Sequence, residues 1–156
     1  MSRKSTEAVM ADAGRRRAAG LLARATMPEL HAAWERLPEQ PQVKPVRGPE
    51  TGLVMVRGRI GGGGAPFNLG EATVTRATVI LGSGLAGHAH ALGTDGRKVR
   101  LAAIFDALLQ DEDMQELVES EVLAPVAARI AAEDRRKAEE TAATRVDFFT
   151  MVRGED

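Results

Sequence analysis

The chain has 156 residues, 44% hydrophobic and 28% charged, with a net charge of −1, which predicts one globular domain with its own core and excludes the global basic field of a nucleic-acid binder. It has no cysteine, so disulfides, thiolate metal sites and cysteine-held iron–sulfur clusters are excluded. No stretch approaches the roughly 20 apolar residues needed to span a bilayer. Arg24 cuts short the apolar run after Arg15-Arg16-Arg17 that a signal peptide would need, so a soluble cytoplasmic protein is expected.

Taken in chain order, Thr6 to Arg24 reads as an alanine-rich helix weakened by Gly14 and Gly20. Thr26-Met27-Pro28-Glu29 is a helix start, followed by Leu30, Trp34 and Leu37 on one face, and Pro38 ends that helix. Pro38, Pro41, Pro45 and Pro49 predict a stiff, extended connector. From Gly52 the period becomes two: Val54, Val56 and Ile60 alternate with Met55, Arg57 and Arg59. Glu71 to Leu81 is a second strand, with Ala72, Val74, Arg76, Thr78 and Ile80 sharing a face, and Ala86 to Leu92 a short third one. Gly82-Ser83-Gly84 and Gly93-Thr94-Asp95-Gly96 are turns. Leu101, Ile104, Phe105, Leu108 and Leu109 match an amphipathic helix. A further helix starts near Asp113 and carries Leu117, Val118, Val122, Val126 and Ile130 on one side. Pro125 is expected to kink or break it. Glu133 and Lys137 form an expected i, i+4 pair, and an apolar tail, Val146 to Val152, closes the chain.

The sum is an α+β fold in a single domain, with a small antiparallel sheet of three to four strands flanked by N-terminal and C-terminal helices. Its parts are a helical hairpin over 1–37, the proline-rich connector over 38–50, the β region over 51–96, and helices with a docking tail over 97–156. With aromatics limited to Trp34, Phe67, Phe105, Phe148 and Phe149, small aliphatic side chains must fill the core.

The chemistry on offer is thin. Gly61 to Gly64 stand between two strands, and no Gly-Lys-Ser/Thr follows, so a Walker-type phosphate loop is ruled out. A flexible hairpin connection, anion contact helped by Arg57, Arg59 or Arg76, and close approach of a partner backbone all remain open for these glycines. His88 and His90 share one face of a strand, but a metal site needs a third ligand, and the nearest carboxylate in sequence is Asp95. His31 reads as a surface residue. Serine occurs at Ser2, Ser5, Ser83 and Ser120, none in the strand–elbow–helix context of a nucleophile. Asp111-Glu112-Asp113 opens a helix, where acids serve the dipole. Phe148, Phe149, Met151 and Val152 would forfeit roughly 1.5–3 kcal/mol each if left in water, so the tail must dock.

Three stretches carry a resemblance. Thr51-Gly52-Leu53-Val54 leads to Gly61-Gly62-x-Gly64-x-x-Phe67-x-x-Gly70-Glu71-Ala72-Thr73-Val74-Thr75-Arg76-Ala77. Phe105 to Gln110 follow, and then the tail Arg145-Val146-Asp147-Phe148-Phe149-Thr150-Met151-Val152-Arg153-Gly154. In order and spacing these resemble the PhnG family, the G subunit of the bacterial carbon–phosphorus lyase pathway. The resemblance implies a core complex with H, I and J subunits, and an ATPase-like L subunit beside it. That machinery exchanges the base of a purine nucleoside triphosphate for an alkylphosphonate, giving α-D-ribose 1-methylphosphonate 5-triphosphate. The I subunit then carries the nucleosidase chemistry, the J subunit's radical iron–sulfur chemistry later breaks the carbon–phosphorus bond, and the G subunit assists. Where the family tends to carry Arg-Asp-Lys and then His-Ala-Glu after Gly93, this chain has Thr94-Asp95-Gly96-Arg97-Lys98, so no role carries over there.

On this reading no residue is catalytic, and no metal or cofactor is expected. Gly61, Gly62, Gly64, Phe67, Glu71, Thr73, Thr75 and Arg76 are candidate substrate or interface contacts, interface favoured. Phe148, Phe149, Met151 and Arg153 are candidate partner-docking residues. The competing readings are a pure assembly scaffold and a metalloenzyme built on His88 and His90.

Overall fold

The computed structural model describes residues 3–61 and 63–144, with side chains from Ala13 onward. Two helices, α1 (Arg3–Arg24) and α2 (Met27–Glu35), precede three strands, β1 (Val43–Arg59), β2 (Pro66–Leu81) and β3 (Ala86–Leu92). Then come α3 (Gly96–Leu108), α4 (Glu112–Val118), a π-helical turn over Glu119–Leu123, and α5 (Ala124–Ala143). The α+β fold is as expected, with an antiparallel sheet of three strands in the order β1-β2-β3. No helix among the described residues is long and apolar enough to cross a membrane.

The first strand starts nine residues before Gly52, inside the stretch expected to be connector. Prolines are tolerated there because β1 is an edge strand, and its register shifts between Pro45 and Arg47 and between Arg47 and Glu50. Bulges and edges are where a strand can do without a ladder N–H. The second strand also begins earlier than Glu71, at Pro66.

One face of the sheet carries the core. Thr75, Ala77, Val79 and Leu81 of β2 are buried against helices, while the alternate residues Ala72, Val74, Arg76, Thr78 and Ile80 point away from them. The centre is α3, buried almost all round from Ala102 to Leu108, the pattern of a core helix rather than a surface one. It lies on β2 and β3, and α1 and α2 pack against it in turn. Contact between α3 and β3 is backbone to backbone. A Cβ at Gly87 would overlap the Ala103 carbonyl oxygen and come within 2.7 Å of the Ala107 nitrogen.

Pro125 does not break the last helix. The π turn widens the rod just ahead of it, with the Ala124 N–H donating to the Glu119 carbonyl, which accommodates the missing N–H and the ring. Val118, Val122, Val126 and Ile130 stay on the buried side, joined by Leu123. Beyond Ile130 every described residue of α5 except Glu133 is exposed. Glu133 pairs backward with Arg129 at 2.9 Å rather than forward with Lys137.

Because the collision at Gly87 is with backbone, Gly87→Ala is expected to cost about 3 kcal/mol. The urea midpoint of the purified protein measures this. An unchanged midpoint would show that α3 and β3 can separate freely.

Candidate functional site

The sheet outruns its cover. Only Val74 to Ile80 of β2 pair with β3, whereas β1 and β2 continue together to Arg59 and Pro66. From Leu53 and Thr73 outward the described residues form a two-stranded ribbon with no third strand. Its tip turns on glycine for two concrete reasons. Gly61 has φ +59, and a Cβ at Gly64 would stand 2.6 Å from the Ile60 carbonyl oxygen. The Gly64 N–H donates to that same carbonyl at 2.9 Å, and Arg59 donates to the Gly64 carbonyl at 3.1 Å. Gly62 lies outside the described residues. A strand follows the loop instead of a helix, so no helix dipole is aimed at an anion here.

The ribbon's two faces differ. Leu53, Met55, Arg57 and Arg59 of β1 continue the helix-side face, opposite Thr73, Glu71, Asn68 and Pro66. On the outer face Val54 and Val56 meet Ala72 and Gly70, and Gly58 lies opposite Phe67. The register slips by one between Val56 and Arg57, leaving Leu69 as the extra residue on β2, and its side chain lies over Gly58. Val74 pairs with Leu92, so the apolar strip runs on to β3. These side chains stand in the open: Ile60 is 74% exposed, Leu53 64%, Leu69 63% and Leu92 76%. Scattered apolar residues on a surface are ordinary, but a contiguous strip marks a contact.

The candidate residues are strung along this ribbon. From Pro66 to Arg76 is roughly 33 Å at about 3.3 Å per residue, so Gly64 and Arg76 cannot touch one small substrate. Phe67 is on the outer face, while Glu71 and Thr73 are on the helix-side face. Thr75 is 1% exposed; its hydroxyl donates to the Gly93 carbonyl at 2.7 Å, so the Thr51 hydroxyl at 2.8 Å must donate to it. That residue fastens the ribbon's root and presents nothing to a ligand. Arg76 lies outside, paired with Glu50 at 3.2 Å, an exposed pair of small energetic value. Phe148, Phe149, Met151 and Arg153 lie outside the described residues.

His88 and His90 do share the open sheet face. The His88 Nδ1 sits 3.1 Å from the Thr78 hydroxyl, and His90 lies opposite Arg76, a cation where a metal would need another ligand. No group of three potential ligands is assembled among the described residues. Asp111 caps α4 by accepting from the Asp113 N–H. Ser83 is exposed in the β2–β3 turn.

Sequence reasoning missed two groups. Asp106 is 3% exposed and accepts from the His88 N–H at 2.9 Å and from Arg15 at 3.0 Å. An acid inside the apolar run of α3 was the signal for it. Arg129 joins three helices, donating to Glu29 at 2.6 Å and to the Arg24 carbonyl at 2.9 Å. Nothing in its local sequence marks it. A groove of about 770 Å³ between α1 and the α3–α4 corner is lined by Arg15, Asp106, Arg17 and Glu119, which neutralise one another in two pairs, and by the acids Glu112 and Glu116.

The chain is thus an α+β protein with a bare apolar β-ribbon. Residues 13–154 match the family described as "Phosphonate metabolism protein PhnG", and the chain belongs to that family. Among curated relatives, the alpha-D-ribose 1-methylphosphonate 5-triphosphate synthase subunit PhnG of Rhizobium meliloti (strain 1021) is 66% identical over 148 residues, covering 93% of this chain and 94% of that protein.

Burial opposes ionisation of Glu29, but hydrogen bonds from Arg129 and from the Thr26 N–H and hydroxyl, with the Arg129 charge, hold its carboxyl below the usual range. A depressed carboxylate contributes stability above its unfolded value, near pH 4.3, and loses it as pH falls through the folded value. Glu29→Gln is therefore expected to cost roughly 1 kcal/mol at pH 7, with the gap to wild type closing in acid. Urea unfolding at several pH values checks this, and a gap independent of pH would contradict it.

Proposed function

We propose that this chain is an assisting subunit of the cytoplasmic assembly that transfers an alkylphosphonate onto the ribose C1 of a purine nucleoside triphosphate, releasing the base. The observation that carries the reading is the 66% identity, over 93% of this chain, with a relative named as a subunit of that synthase. Its geometry agrees in kind. The ribbon offers a long apolar strip for contact. The H, I and J subunits of the carbon–phosphorus lyase core are the proposed partners, and the L subunit is an additional candidate.

Within this reading the Gly61–Arg76 segment makes a subunit contact rather than lining the substrate pocket. The roughly 33 Å between Pro66 and Arg76 supports that choice, as does the inward commitment of Thr75. The tail residues Phe148, Phe149, Met151 and Arg153 remain proposed docking elements. A pure scaffold with no influence on turnover is the competing reading.

Reconstitution of the synthase with and without this chain separates the two. Base release is expected to fall at least tenfold without it; undiminished release would leave scaffolding as the role. Arg76→Ala is expected to lower recovery of the complex while turnover per assembled complex stays within about twofold. Full assembly with turnover lost would instead place Arg76 at the active site.

A further inference from the structure

The ribbon between Val43 and Leu81 carries Lys44, Arg47, Arg57, Arg59 and Arg76 against only Glu50 and Glu71, a net +3 in a chain whose total is −1. The remainder of the chain is therefore at −4. Among the described residues Arg57 has no ionic or hydrogen-bonding partner, and Arg59 bonds only the tip backbone. Apolar surface lies on both faces, with Leu53 and Met55 on the helix side and Val56 and Leu69 outside. Beyond β3 the free edge of β2, Pro66 to Thr73, has no neighbouring strand among the described residues.

We infer that this ribbon inserts into a cleft of a different chain of the synthase, a cleft with apolar walls and an acidic rim that encloses both faces and pairs with the free β2 edge. The inference rests on the subunit role proposed above and names the surface that role uses.

Size decides for enclosure. The uncovered ribbon is about 27 Å long, and about 10 Å wide and thick, so one face presents only about 270 Å² and all sides on the order of 1,000 Å². Stable interfaces bury about 800 Å² per partner, which one face cannot supply. Charge disfavours a second ribbon of the same kind: the uncovered part carries Arg57 and Arg59 against Glu71 alone, so two of them meet with like net charge. The acidic groove of a second copy, lined by Glu112 and Glu116, holds about 770 Å³, too little for a ribbon of roughly 2,700 Å³. Glu119 and Glu121 are held by Arg17 and Arg36, both at 2.8 Å, and Asp106 by Arg15. A lipid surface is disfavoured by the backbone: the unpaired edge has no hydrogen-bonding partner in hydrocarbon, whereas a strand of a protein cleft supplies one.

The test uses the assembled synthase containing the full chain. A photo-crosslinking amino acid at Leu53, on the helix-side face, and another at Leu69, on the outer face, are each expected to link to one and the same different chain. Arg57→Glu with Arg59→Glu is expected to reduce recovery of the complex at least tenfold at low salt, with the Gln pair intermediate. Links from one face only, links to a second copy, or unaltered recovery after charge reversal would overturn the inference, as would stable binding of the isolated protein to vesicles of anionic lipid. If the complex assembles and neither position links, the inference fails and the subunit reading stands. If the wild-type chain never co-purifies with the other subunits, both fail.

Discussion

The sheet of this protein is longer than the helical layer that covers it. α3 lies directly on β3 through Gly87, and β3 has seven residues, so the hydrophobic core ends where β3 ends. β1 and β2 continue past that limit with apolar residues on both faces and, among the described residues, no third strand to satisfy the edge. A two-stranded ribbon is marginal in water by itself. Here its root is fastened by the Thr51–Thr75–Gly93 hydrogen bonds, and the rest must obtain burial elsewhere.

The helical body follows the opposite logic. Its polar groups are matched internally: Asp106 by Arg15 and the His88 N–H, Glu29 by Arg129 and Thr26, Glu119 by Arg17. Such pairings tie the helices into a stiff platform. The ribbon concentrates uncommitted cations and bare aliphatic side chains at the other end. The division of labour between these parts is what makes the subunit proposal physical rather than a matter of likeness alone.

Much of this was legible in the residues. The Thr26-Met27-Pro28-Glu29 start became a full capping box, the period-two segments became strands, and β3 has the expected bounds. The resemblance to the PhnG family holds over residues 13–154. What was not legible depended on tertiary context. Pro45 and Pro49 read as connector because proline lacks a ladder donor, yet an edge strand with shifted register accommodates them. Pro125 read as a break, yet a π turn absorbs it. Thr75 read as a contact residue, and only the three-dimensional pairing with Thr51 and Gly93 shows it turned inward. Arg129 binds groups a hundred residues away, which no local pattern announces.

The most direct measurement is amide hydrogen exchange across Leu53 to Thr73, in the isolated chain and in the assembled synthase. The account predicts fast exchange at the free β2 edge in isolation and protection of at least tenfold on assembly, with α3 slow in both. Equal exchange of this segment in the two states would contradict it.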